Sequence, residues 1–180
     1  ISVVVVVYHT GSVLAHSLQA LLQDSRVDEL IIIDNGSSTL EAEAIARAAE
    51  DSRVRVARGH GNVGFATAAN LGAQMAQGSI LVFLNPDAFL QPGCSPAPDR
   101  GVSRASAVRL AGARVLNIDG TEQRGARRGE GTPVTTLLSL TRLTRFVPGL
   151  RRFEIHLEHE APPHEPSSVP TISGACFAMK

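Results

Sequence analysis

Cysteine occurs only twice in these 180 residues, at Cys94 and Cys176. Two thiols cannot build a disulfide framework, so a disulfide-stapled secreted scaffold is excluded and a reducing cytoplasm is the expected compartment. Net charge is missing as well, since seventeen basic residues balance seventeen acidic ones. No global field therefore favours nucleic acid as a partner. Long apolar runs are also absent: the opening ISVVVVVY falls far short of the roughly 18 residues that span a bilayer. No basic leader with a cleavage site precedes it, and Ile1 already stands in a strand-like run. The stretch thus reads as a segment trimmed from a longer chain, at its far end too, where TISGACFAMK stops without a turn. What is present, 43% hydrophobic residues, suffices for one well-buried domain.

The first 87 residues alternate between two periodicities. SVVVVVY (2–8) is continuous and β-branched, which suits a parallel strand buried on both faces. Ser12 is placed to cap a helix with Val13, Leu14, Leu18, Leu21 and Leu22 on its apolar face. ELIIID (29–34) is a second buried strand, and Ser38-x-x-Glu41 is a capping box opening an alanine-rich helix. RVRVA (53–57) and SILVFL (79–84) read as strands, with a helix over 65–77 between them, ended by Gly78. This order predicts βαβ units: an α/β domain with a central, mostly parallel sheet flanked by helices. After Pro92 the regularity fades. Residues 91–106 read as loop, 107–125 as a strand running into an Asp119-Gly120 turn, 132–146 as a helix, and 171–179 as a last strand. The whole reads as one domain, an ordered nucleotide-binding half (1–93) followed by a less regular one (94–180).

Three motifs bear on chemistry. GHGNVG (59–64) matches G-x-G-x-x-G between a strand and a helix, the context of a dinucleotide-binding fingerprint. It sits in the third βα unit rather than the first, which weakens that reading; an NAD(P)-dependent oxidoreductase stays as the alternative. Its glycines still let backbone approach a ligand ahead of a helix N-terminus. In IIIDNGSS (31–38), turn and cap chemistry explains Asn35-Gly36, Ser37 and Ser38. Asp34 is different, because a carboxylate beside a buried strand needs donors, which a base and ribose could supply. Asn70, mid-helix among small residues, is by itself a solvated face residue. Last, the run Ile80–Leu84 stops at Asn85-Pro86-Asp87, either as an ordinary turn or because α/β proteins place ligands at the carboxyl ends of parallel strands.

Taken in order, VVVVVYHTGSVLAHSLQALL, ELIIIDNGSS, GNVGFATAANLGAQMAQGSILVFLNPDAFLQPG and ISGACFAMK resemble the family 2 inverting glycosyltransferases with the GT-A fold, most of all rhamnosyltransferase-like members. The resemblance runs through residues 1–93 and resumes at roughly 107–130 and 169–180. It implies transfer of a sugar, rhamnose by that likeness, from a dTDP or UDP donor to a cell-envelope glycan or polyprenyl-linked acceptor, with inversion. It implies that Tyr8, His9, Thr10 and Asp34 surround the base and ribose, and that Asn62, Gly64 and Asn70 line the diphosphate side. Ser173, Gly174 and Ala175 would border sugar and acceptor. Asn85-Pro86-Asp87 stands where the family has its Asp-x-Asp element, so Asp87 would be the sole charged ligand of a Mg²⁺ or Mn²⁺ ion, with Asn85 at most assisting. The acidic base of the family follows the segment resembling ISGACFAMK and is expected beyond Lys180, which leaves no catalytic residue to name here; a fragment without it would be a silent nucleotide-sugar-binding module.

Between Ser95 and Ser106 the resemblance breaks, because SPAPDRGVSRAS has no apolar stripe where relatives have a helix. Arg124, Arg127, Arg128, Arg142, Arg145, Arg151 and Arg152 fall in a stretch with one acid, Glu130. They read as solvated surface, the alternative being peripheral contact with an anionic membrane face or a polyprenyl diphosphate. His156, His159 and His164 lie among glutamates without cysteines and read as a solvated loop rather than a metal site.

Overall fold

The structure, a computed structural model, describes residues 1–91, 110–123, 125–129, 131–141, 149–150 and 168–180. Two compact units divide the chain: Ile1–Ala111 with Gly174–Lys180, and Gly112–Ser173. The first carries strands β1 (Ser2–Val7), β2 (Glu29–Asp34), β3 (Val54–Ala57) and β4 (Leu81–Leu84), interleaved with helices α1 (Val13–Gln23), α2 (Thr39–Ala48) and α3 (Phe65–Met75). The chain continues through β5 (Leu110–Gly112), β6 (Arg127–Arg128), α4 (Pro133–Thr141), β7 (Thr171–Ile172) and β8 (Cys176–Met179). The main sheet runs β3-β2-β1-β4-β8-β5. The β1, β2, β3 and β4 pairings are parallel, and β8 returns antiparallel beside β4. This is the expected α/β class.

Every residue of β1 is buried. Val3, Val5 and Val7 share one core with Leu30, Ile32 and apolar residues of α1 and α2. Val4 and Val6 share the other with Ile31, Ile33, Phe83 and the small residues Ala68 and Ala69 of α3. Alternate side chains of one β-branched strand thus feed two cores, which is why the run is continuous rather than alternating. At the amino edge, buried Ser2 donates to Glu29 Oε2 at 2.6 Å and accepts from the Gly78 N–H at 2.9 Å. Gly78 therefore does not end α3, which stops at Met75; a Cβ there would stand 2.8 Å from Ser2 Oγ. Close approach of backbone, not capping, fixes this glycine.

Helix starts show a second difference. Ser38 and Glu41 form the expected capping box. Ser12 occupies the N-cap position of α1 in helical geometry and its hydroxyl makes no cap bond. Gly11, at φ +80°, turns the chain instead, and its carbonyl accepts from Leu14 N. The last strand is also split: Thr171–Ile172 pairs with β6, while Cys176–Met179 joins the main sheet. In the second unit the Asp119-Gly120 turn is present, with Leu116 bridged to Glu122. Arg127 is not simply solvated, because its Nε lies 2.6 Å from the nearly buried Glu122 carboxylate. Within the expected helix of 132–146, the helix spans Pro133–Thr141, and 142–146 lie outside the described residues. So do 95–106, Cys94, the three histidines 156, 159 and 164, and five of the seven arginines.

The tight α3 contact gives a direct test. A methyl group on Gly72 would run into Val4 Cγ1 and press on Ile33. Gly72→Ala should therefore destabilise the protein by about 1–3 kcal/mol in denaturant unfolding despite its better helix propensity; a neutral or stabilising result would show that α3 does not sit this close to the sheet.

Candidate functional site

Chain order moves outward from β1 through β2 to β3, then crosses back to place β4 on the other side of β1. That reversal makes the β1/β4 boundary a switch point, where the loops diverge and leave a crevice at the carboxyl edge. The register deepens it: Val5 pairs with Leu84, the last residue of β4, while β1 runs two residues further to Val7, opposite Asp34. A cavity of about 530 Å³ opens there, lined by Val6, Tyr8–Thr10, Asn35, Asn62, Gly64, Phe65 and Asn85–Asp87.

The β4 end is a turn. Ala88 N–H donates to Asn85 C=O at 3.1 Å, with Pro86 in the position where its fixed φ favours a turn. The turn is held from two sides, because Asn85 N–H donates to Ala175 C=O at 2.8 Å and Ser17 Oγ donates to Ala88 C=O at 2.9 Å. Asp87 is exposed on the cavity wall, and no hydrogen bond or ion pair engages its carboxylate among the described residues. The geometry is that of a turn, and it leaves the Asp87 side chain on the cavity wall.

The β1 end is held by Glu41, a carboxylate only 1% exposed. Its Oε1 accepts from the N–H groups of Thr10 and Gly11, and its Oε2 from Ser38 N–H at 2.6 Å. Burial alone would push its carboxyl up. The Ser38 side chain and the N–H groups of Ser38, Gly11 and Thr10 outweigh burial and leave it below the usual carboxylate range. His9 adopts φ +47°, an uncommon backbone for a side-chain-bearing residue, and its ring meets Tyr8 edge-on at 4.5 Å. Thr10 Oγ1 is buried and has no partner among the described residues.

Seven of the twelve expected site residues therefore line one cavity: Tyr8, His9, Thr10, Asn62, Gly64, Asn85 and Asp87. Asp34 is not on that wall. Its carboxylate accepts from its own turn, from Gly36 N–H at 3.2 Å, Ser37 N–H at 2.9 Å and Ser37 Oγ at 2.9 Å. Asn70 is exposed on α3 and is not among the residues that line the cavity. Ala175 reaches the site through its carbonyl bond to Asn85, while Ser173 falls in the other compact unit and Gly174 opens the segment that returns. Sequence reasoning missed Asn35, read as a turn residue, and Phe65, which exposes its ring to the cavity. Glu41 was visible only as half of a capping box. Adjacency of Asn35 to a strand end, and an aromatic residue in the first turn of a helix after a glycine loop, were the available signals.

The family model for glycosyl transferase family 2 matches residues 2–98. The chain belongs to that family. Among curated members, it is 34% identical over 89 residues to the glycosyltransferase GlyG of Streptococcus pneumoniae, covering 48% of this chain and 30% of that protein. It is 35% identical over 92 residues to an uncharacterized glycosyltransferase of Haemophilus influenzae, covering 50% and 37%. The chain thus spans about a third of the length of these relatives. In three dimensions it resembles a mannosyltransferase of Pyrobaculum calidifontis solved with GDP-Man and Mn²⁺, at TM-score 0.53 and 21% identity, over 64% of this chain and 35% of that one. That likeness establishes the GT-A-type fold. The family match runs through the Gly59–Gly64 stretch as well.

The residues present fit a divalent cation only in a limited way. No group of three or more His, Cys, Asp or Glu side chains suited to a metal occurs among the described residues. A single free carboxylate beside Asn85 suits an ion whose remaining ligands are water and substrate phosphates.

Acid titration tests the Glu41 clamp. A carboxyl held below its unfolded value near 4.5 stabilises the fold above that pH, and the contribution is lost as pH falls through its folded value. Glu41→Gln leaves one acceptor oxygen, which serves either the Ser38 N–H of the capping box or the Thr10 and Gly11 N–H pair, and turns the amide NH2 toward the other donors. It should cost about 1–3 kcal/mol at neutral pH and flatten the fall in stability as pH drops below the unfolded value near 4.5; an unchanged acid profile would remove Glu41 from this role.

Proposed function

We propose that this chain forms the nucleotide-binding part of a glycosyltransferase that uses a nucleoside-diphosphate sugar. The observation that carries the reading is the free Asp87 carboxylate on the wall of the cavity at the β1/β4 switch point. Tyr8, His9 and Thr10 would hold the base and ribose, with Asp34 supporting them by rigidifying the neighbouring turn. Asn62 and Gly64 would lie toward the diphosphate. Asp87, assisted by Asn85, would hold Mg²⁺ or Mn²⁺, which when bound neutralises charge on the departing diphosphate. In the transfer, the bond between the anomeric carbon and the diphosphate oxygen breaks as an acceptor hydroxyl bonds to that carbon from the opposite face. The hydroxyl proton goes to a base not assigned to any residue of this chain.

Rhamnose as the sugar, dTDP rather than UDP as its carrier, and a cell-envelope or polyprenyl-linked acceptor all follow from the rhamnosyltransferase-like pattern of the first 93 residues. Work at the cytoplasmic face of a membrane fits such an acceptor; no described helix is long and apolar enough to cross one.

Calorimetry with dTDP, UDP and NADH, in chelator and in millimolar Mg²⁺ or Mn²⁺, tests the reading. Nucleoside diphosphate affinity should rise with cation by about tenfold or more, as expected for charge-assisted contacts. Asp87→Asn should abolish that gain while metal-free binding persists, and Asn85→Asp should enlarge it. Equal affinity with and without cation would return Asp87 to a turn residue, and tight NADH binding would favour the oxidoreductase alternative.

A further inference from the structure

Asn35 is 2% exposed, and both ends of its side-chain amide are engaged. Its Oδ1 accepts from Val63 N–H at 3.0 Å, which fixes the amide orientation, since the nitrogen end cannot accept. Its Nδ2 must then donate, and it does so to Asn62 Oδ1 at 2.9 Å. The same Asn62 oxygen accepts from Gly64 N–H, also at 2.9 Å. Two donors converge on Asn62 Oδ1, one backbone and one side chain, so the flip of this second amide is fixed by chemistry. What Asn62 has left is its Nδ2, with no partner among the described residues, on a side chain that lines the cavity.

We propose that Asn35 is a positioning residue that sets the polarity of the site through Asn62, holding the Asn62 amide so that it presents donors, and only donors, to an acceptor oxygen of the ligand. The proposal rests on the nucleotide-sugar reading of the cavity and adds to it the residue that dictates which way Asn62 faces. Phosphate oxygens and base carbonyls share the acceptor chemistry, and both belong to a nucleoside diphosphate. The same pair also shapes the backbone: Gly64 takes φ +80° at the N-cap of α3, Val63 N–H is held by Asn35 just after β2, and Gly64 N–H is held by Asn62 of the same loop.

Asn35→Asp separates this role from simple packing, because it is isosteric and keeps the acceptor for Val63 N–H. It replaces the Nδ2 donor with a second acceptor, so Asn62 must swing its own Nδ2 inward to meet it, turning its oxygen toward the ligand and releasing Gly64 N–H. Binding of dTDP, UDP, thymidine, uridine and inorganic pyrophosphate is measured by calorimetry in the parent, Asn35→Asp, Asn62→Ala and the double variant. Each single change should weaken dTDP or UDP by about three- to tenfold, and the double variant should be no weaker than Asn62→Ala alone, the non-additivity of residues acting as a unit. Loss shared by pyrophosphate places the acceptor on the diphosphate; loss shared by the nucleosides places it on the base. Additive losses, or full affinity in Asn35→Asp, would overturn the proposal. Backbone amide exchange decides it without any ligand: Gly64 should exchange several-fold faster in Asn35→Asp while Val63 stays protected, and unchanged Gly64 exchange would overturn it. A parent that binds none of the five compounds but shows this exchange pattern would refute the nucleotide reading and leave the positioning device standing.

Discussion

Burial of β1 on both faces is the constraint from which the rest of the molecule follows. A strand whose alternate side chains enter two separate cores has no room for polar chemistry along its length. Ser2, at its very start, is tolerated because its hydroxyl is satisfied by Glu29 and Gly78. Polar function is therefore pushed past Val7, to Tyr8, His9 and Thr10. The neighbours do the same at their carboxyl ends, β2 releasing polar groups at Asp34 and Asn35, and β4 at Asn85. Because these strands are parallel, all the releases fall on one edge.

That edge is not a set of independent loops. Glu41 ties the loop after β1 to the start of α2. Asn35 ties the end of β2 to the loop before α3. Ala175 and Ser17 hold the turn after β4. Each tie joins buried or half-buried polar groups, where a lost partner costs about 1–3 kcal/mol. The strength of these ties makes the edge a pre-organised surface on which a few groups, Asp87 above all, are left without a hydrogen-bond or ion-pair partner among the described residues. Asp34 illustrates a different case: its carboxylate accepts three bonds from its own turn and so holds that turn in place.

Strand β2 was legible to the residue and the capping box of α2 was visible as written, because both signals are local: a β-branched run and a four-residue spacing. The parallel sheet followed from the alternation of elements. Ser12 and Gly78 misled because their work is done by other atoms, the backbone of Gly11 in one case and the crowding of Ser2 in the other. Of the cavity lining, Asn85-Pro86-Asp87 and Tyr8-His9-Thr10 were legible, because each stands where a strand ends. Asn35 and its bond to Asn62 were not legible, although Asn62 by itself was expected, because an amide pair across 27 residues leaves no local trace.

Paramagnetic broadening by Mn²⁺ reads the geometry of the edge directly. With substoichiometric Mn²⁺ and saturating dTDP or UDP, backbone amide signals of Asn85, Asp87 and Ala88 should broaden most, those of His9 to Gly11 next, and that of Asn70 least. Omitting the nucleotide should remove most of the effect, since a single carboxylate holds the ion weakly on its own. Broadening centred on other surface carboxylates, or equal broadening with and without nucleotide, would contradict a cation site at Asp87 completed by the donor's phosphates.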